Sequence, residues 1–217
     1  VAPGPKPGSN NCGLAGGCEY VFSYPMFRDL EKLQTVFTGL AAHVIFGANV
    51  AARGQTLNTD GLQVSGSYFP TLGVHPALGR LFTPTDDAAP GGHPVVVLLH
   101  GFWERRFGAD AGILNKTILL NNRQMTVIGV TAPGLRGTDV VNPVDLMLPL
   151  SMQKLLMPDT AFPMESPRFY FLHLFGRVKT GVPVEAVSAD LNRVVAPVLK
   201  QEAELLTFQN PDHSKRF

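Results

Sequence analysis

The string Val95-Val-Val-Leu-Leu-His-Gly-Phe102 is where this sequence comes nearest to a reactive site. A buried strand running straight into a His-Gly turn can aim backbone N–H groups at a developing oxyanion, as acyl transfer requires. That chemistry also needs a serine on a sharp Gly-x-Ser-x-Gly turn, an acid and a further histidine. No such pentapeptide follows His100. The later serines, Ser151, Ser166, Ser188 and Ser214, lack the flanking glycines. His173 falls in a strand pattern and His213 in a polar tail. The string therefore reads first as a strand entering a helix, and no catalytic residue is assigned.

Other chemistries have less to build on. His43, His75 and His93 are isolated in sequence, and His93 and His100 stand seven residues apart across a strand, a poor ligand pair. Asp86-Asp87, with Asp60, can attract a cation, although paired acids in a loop are usually just solvated. Gly91-Gly92 lacks the helix and spacing that cradle phosphate, and no Gly-x-x-x-x-Gly-Lys-Ser/Thr string occurs. Trp103 reads as core rather than as a stacking platform. No cofactor-binding residue and no metal ligand is assigned. Cys12 and Cys18, five residues between them, sit in a Gly-rich loop. They can form a local disulfide in an oxidising compartment and are otherwise two free thiols. Half a zinc site is disfavoured, because no second Cys or His pair has ligand spacing.

The elements that must position these residues are bounded by composition. The chain has 217 residues, room for one large domain or two small ones. Hydrophobic residues make up 45%, enough for a real core, while charged residues make up 16%, below the usual quarter. The net charge is +1 with no basic stripe, so a nucleic-acid role is not expected. No apolar run approaches the roughly 18 residues of a membrane helix. The 18 prolines and 22 glycines imply many turns and few long helices. Linker-like ends, Val1-Ala-Pro-Gly-Pro-Lys-Pro-Gly8 and Asn210 to Phe217, read as the cut ends of a piece of a longer protein, with loss of a leader alone as the alternative.

Along the chain, residues 1–20 read as a flexible arm. Ser23 and Pro25 open an amphipathic helix carrying Leu30, Leu33, Phe37 and Leu40 and ending at Gly39. His43–Ala52 and Leu57–Ser65 read as a hairpin turning at Arg53-Gly54-Gln55. Val64 to Arg80 reads as a strand end, a short helical turn and a loop pinned by Gly73, Pro76 and Gly79. Gly66, Gly73 and Gly79 sit where positive φ or close backbone approach is needed. A buried strand at 94–100 and a short helix stopped by Gly108 follow. Asn121-Asn122-Arg123 joins the clearest hairpin, Lys116–Leu120 with Gln124–Val130. Arg168–Val178 is apolar on both faces and reads as a central strand. Pro183 opens a last helix with Val187, Leu191, Val194 and Val198 on one face, and Pro197 should kink or weaken it. Strands and helices mix without strict βαβ alternation, so the fold class is α+β. The two ends pair in character, and roughly 76–165 reads as an insertion between them.

Several separated segments together resemble one family. They are Phe22-Ser-Tyr-Pro-Met-Phe-Arg-Asp-Leu30, Phe37-Thr-Gly-Leu-Ala-Ala42, Val64-Ser-Gly-Ser-Tyr-Phe-Pro-Thr-Leu-Gly-Val74 and Ala77-Leu-Gly-Arg-Leu-Phe82. Gly91 to Gly108, Lys116 to Arg123 and Thr126-Val-Ile-Gly-Val130 continue the series. In this order and spacing they resemble the periplasmic core domain of MacB-type, FtsX-like ABC transporter permeases, above all the large orphan permeases in which that unit is duplicated. No single segment is diagnostic, and the match runs from about 20 to 195.

The resemblance implies two lobes: a discontinuous, porter-like α+β lobe at 21–75 and 166–210, and an inserted, mostly β lobe at 76–165. It implies a non-catalytic domain on the periplasmic side of the cell inner membrane, joined to membrane helices of the same polypeptide. The implied partners are a cytoplasmic ABC ATPase subunit, a second permease copy and a periplasmic adaptor. The implied role couples ATP-driven helix movement to export or release of substrate, with hinges expected near 76–92 and 158–167. The alternatives are an α/β-hydrolase-like esterase using the His100-Gly101 turn and a free periplasmic binding protein.

Overall fold

The computed structural model describes residues 9–10, 21–138, 143–156, 164–167 and 169–209. It mixes helices and strands as an α+β fold. The chain divides into two compact units, residues 1–42 with 160–217 and residues 43–159. The hairpin residues 43–75, read above with the chain ends, lie in the second unit.

In the first unit, strands β1 (Ser9–Asn10) and β2 (Phe22–Ser23) pair with β10 (Phe169–Val178), parallel and antiparallel respectively. Helix α1 (Tyr24–Leu33) starts where Ser23 accepts the Met26 N–H, with Pro25 in its first turn. It buries Met26, Phe27 and Leu30. The helix stops at Leu33, six residues before the expected Gly39. Gln34 turns to extended backbone, and its side chain accepts the Phe37 N–H at 2.7 Å. Phe37 and Leu40 continue the three-four spacing, but they belong to strand β3 (Phe37–Ala52), which runs beside β10. There the Thr38 hydroxyl donates to the Arg177 carbonyl, and the Lys179 N–H to that of Val36. The long helix α5 (Val184–Gln209) packs on α1.

The second unit is built on a closed ring of six strands. From His43 onward β3 pairs antiparallel with β4 (Gln55–Val64), and β4 pairs parallel with β9 (Leu146–Pro149). Strand β9 meets β6 (Val95–Leu98), β6 meets β8 (Arg123–Thr131), and β8 meets β7 (Thr117–Leu120). Strand β7 returns to β3 through Val50 opposite Leu120. Alternate residues fill the ring: Phe46, Ala48 and Val50 from β3, Val96 and Leu98 from β6, Ile118 and Leu120 from β7, Leu146 and Leu148 from β9. Phe102 and Phe107 of helix α3 (His100–Phe107) join this core.

Both hairpins turn where the sequence places them. Arg53 and Gly54, and Asn121 and Asn122, all have positive φ, the geometry of two-residue hairpin turns. After β4 comes helix α2 (Tyr68–Leu72), capped by left-handed Gly73. The expected loop at 76–79 is instead a strand, β5 (Pro76–Gly79), paired antiparallel with β8. Its partner lies some fifty residues on, so no local pattern announces it. Strand β9 is followed by a 3-10 turn at Leu150–Met152 and helix α4 (Gln153–Leu156).

Candidate functional site

The His100-Gly101 turn forms as expected, at the end of β6 and the start of α3. The His100 N–H donates to the Thr131 hydroxyl at 3.2 Å. Its Nδ1 lies 3.3 Å from the Glu104 carboxylate one helical turn on, and its ring meets Trp103 edge-on at 5.3 Å. Among the described residues no nucleophile completes this group. Strands β6 and β9 are antiparallel, with Leu98 opposite Leu146. Ser151 follows the far end of β9, so it and His100 lie at opposite ends of the pair. The Ser151 hydroxyl is buried, and its N–H is held by Asp87. Ser166 and Ser188 lie in the other unit. Trp103 is half-buried, and its indole N–H donates to the Asp110 carbonyl.

The acids at 86–87 are fasteners. A 3-10 turn, Pro84–Asp87, starts with a capping box in which Thr83 and Asp86 satisfy each other's backbone N–H groups. Arg80 grips Asp86 with two bonds of 2.7 Å. Burial alone would raise the Asp86 pKa, but the bonds from Arg80 and Thr83 hold it down at about 2. Asp87 accepts the N–H of Gly66 at 3.1 Å and of Ser151 at 2.7 Å. The segment 76–92, expected as a hinge, is thus pinned at both acids and paired to β8 within one unit. Pinning of this kind opposes bending. The expected hinge at 158–167 lies mostly outside the described residues, as do Cys12 and Cys18.

The first unit has a matching fastener that the sequence reading did not single out. Asp190, on α5, accepts the Thr35 N–H at 2.8 Å, the Thr35 hydroxyl at 3.1 Å and the Arg193 guanidinium. Burial would raise its pKa; the Thr35 and Arg193 bonds outweigh that and lower it. Arg193 also donates to the Leu33 carbonyl, tying α5 to the end of α1. The signal was present: Asp190 sits three residues after Val187 and four before Val194, an acid on the apolar face of its helix.

One cavity, of about 430 Å³, opens on the outer face of the β3–β4 hairpin between Gly47, Asn49, Asn58, Asp60 and Asn121. Most of its polar groups are already engaged. Asn121 accepts the Asn49 N–H and donates to the Gly47 carbonyl, and the Asn49 amide donates to Asn58. Asp60 is exposed there, away from Asp86 and Asp87, which are spent elsewhere. Among the described residues no group of three or more His, Cys, Asp or Glu side chains can hold a metal ion. His43 lies edge-on to Tyr68, whereas His75 and His93 are exposed. No helix among the described residues is long and apolar enough to cross a membrane.

Comparison with known proteins decides the family. The model of the MacB-like periplasmic core domain matches residues 1–194. The chain belongs to this family. The periplasmic region of MacB from Actinobacillus actinomycetemcomitans superposes with a TM-score of 0.64 at 16% identity, covering 94% of this chain and 91% of that one. The extracellular domain of the noncanonic ABC-type transporter YknZ from Gram-positive bacteria gives 0.60 at 16% identity, over 87% and 89%. A domain of a putative permease from Porphyromonas gingivalis gives 0.57 at 16% identity, over 84% and 72%. At this identity the likenesses show a shared fold. A search of curated proteins returns no match. This MacB-like domain is therefore of a kind found in ABC transporter permeases, outside the membrane.

Proposed function

We propose that this MacB-like domain is a non-catalytic moving part of an inner-membrane ABC permease. In this reading, ATP hydrolysis in a cytoplasmic subunit moves membrane helices of the same polypeptide. Those helices rearrange the domain against a second permease copy, and substrate is exported or released outside the membrane, with a periplasmic adaptor as a further partner. The discontinuous unit serves as the porter-like lobe and the β-rich unit as its insertion. The observation that carries the reading is the family match over residues 1–194. The polar side chains around His100 and Asp86-Asp87 support it, because they spend their hydrogen bonds inside the fold.

The test is a distance measured in the complete permease reconstituted with its ATPase. A donor fluorophore at Arg123 of one permease copy and an acceptor at Arg123 of the other, an exposed position, report the distance between the two domains. ATP should change the transfer efficiency, and an ATPase-dead partner should abolish the change. An unchanged efficiency through the hydrolysis cycle, or ester turnover by the purified domain that His100→Ala removes, would sink the reading.

The same placement bears on Cys12 and Cys18. An oxidising compartment favours their pairing. Thiol titration of unreduced protein under denaturant should find no free thiol, and two after reduction.

A further inference from the structure

Gly47 stands in the interior of β3, where a β-branched side chain would favour the strand and glycine weakens it. Neither the backbone nor the packing asks for a glycine there. Its φ is not positive, and a Cβ placed on it would meet no atom within 4 Å. Gly61, on the neighbouring strand, differs: a Cβ there would come within 2.6 Å of the Phe46 ring. The open space over Gly47 is the cavity of about 430 Å³ on the outer face of the hairpin. That volume lies within the range of small-ligand clefts, about 300–1,000 Å³. A strand glycine with only empty space beside it marks a place for close approach from outside the chain.

The groups around this floor define the chemistry it can hold. Asp60 stands opposite Gly47 in the ladder, and Asn58 opposite Asn49. The Asn49 and Asn58 amides hold each other at 2.7 Å. Asn121 is fixed by the Asn49 N–H at 2.7 Å and the Gly47 carbonyl at 3.2 Å. These bonds set the orientation of all three amides and leave each at least one N–H and one oxygen lone pair to spend. The Asp60 carboxylate accepts no hydrogen bond and pairs with no cation among the described residues. Its charge repels an anion. An apolar ligand would find nothing to cover, because buried Ala48 is the one apolar side chain in the lining. A ring of adjacent hydroxyls fits, since each can donate to Asp60 or an amide oxygen and accept from an amide N–H.

We propose that the outer face of the β3–β4 hairpin binds a neutral hexose, seated on Gly47 and held by Asp60, Asn58 and Asn121. The site stands independently of the permease reading.

The test is a titration of this chain, followed by amide chemical shifts, with D-glucose, D-galactose and D-mannose. Each is taken to about 100 mM, where even a millimolar site saturates. At least one sugar should give saturable shifts confined to the amides of Gly47, Asn49, Asn58, Asp60 and Asn121. Gly47→Val should fill the floor, and Asp60→Ala should remove the acceptor; each should weaken binding at least tenfold. Gly47→Val should also keep or raise the urea midpoint, because its side chain meets open space on a strand. Shifts that stay linear for all three sugars, or binding that Gly47→Val leaves intact in a folded chain, would overturn the site. Saturable binding of spermidine with none of a sugar would overturn the assignment to a neutral ligand.

Discussion

Asp86 keeps its charge in a buried position because Arg80 and Thr83 offset the loss of water. Its pKa is about 2 in the fold, against about 3.9 in an unfolded chain. A folded value below the unfolded one stabilises the protein above about pH 4, and that stability is lost as pH falls toward 2. Asp190 is shifted in the same direction, so it adds to the same acid limb. Asp86→Asn should therefore lower stability at neutral pH by on the order of 1–3 kcal/mol and flatten the fall between pH 4 and 2. Urea unfolding across that range checks both parts. Gln63 predicts the opposite sign. It stands in register with Val44 and Leu148, and neither its amide nitrogen nor its oxygen has a hydrogen-bond partner among the described residues. A buried amide without partners costs about 1–3 kcal/mol. Gln63→Leu should raise the urea midpoint, and a lowered midpoint would show that the amide has a stabilising contact.

At the scale of elements, the ring is closed by a short contact that Asn121 reinforces. Its backbone N–H donates to the Asn49 carbonyl, its side chain accepts the Asn49 N–H, and its φ is +48°. Asn121→Gly keeps the turn and loses the side-chain bonds to Asn49 and Gly47, while Asn121→Ala loses both and strains the turn. Ala should cost more than Gly, by roughly 0.5–1 kcal/mol, and both should speed hydrogen exchange at the Asn49 amide. What could be read ahead of the structure divides along the same line. The turns at Arg53-Gly54 and Asn121-Asn122 were legible because positive φ has a local residue signature. The end of α1 was not, because Phe37 and Leu40 fall by coincidence on the helical spacing of Leu30 and Leu33. Strand β5 and the return of β7 to β3 were hidden for another reason. Their partners lie some fifty to seventy residues away, and pairing at that distance leaves no periodicity. The Asp87 clamp was missed likewise, since Gly66 and Ser151 are distant in sequence, although Thr83-Pro-Thr-Asp86 spells a helix cap.

For the whole molecule, the two units make different demands on the chain. Residues 43–159 own a closed ring and a continuous core, so this fragment should fold alone. The only tryptophan, Trp103, lies inside it. The isolated fragment should unfold in one cooperative transition followed by that fluorescence; a gradual, non-cooperative loss of signal would show that the ends are required. The ends, by contrast, meet only after the insertion has been made, through Asp190 holding Thr35 across 155 residues of chain. Closing so long a loop is slow relative to local pairing, so the insertion should fold first. Stopped-flow tryptophan fluorescence should then precede hydrogen-exchange protection at Thr35.

A cylinder of strands with β7 tying its last strand to its first has no seam. It cannot be peeled one strand at a time, because pulling on any one must shear its neighbours on both sides together. Strand β5, outside the cylinder, offers a bare flank, and Pro76 blunts it. A part built this way transmits a tug as a rigid body and gives crowded copies little purchase for stacking backbone on backbone.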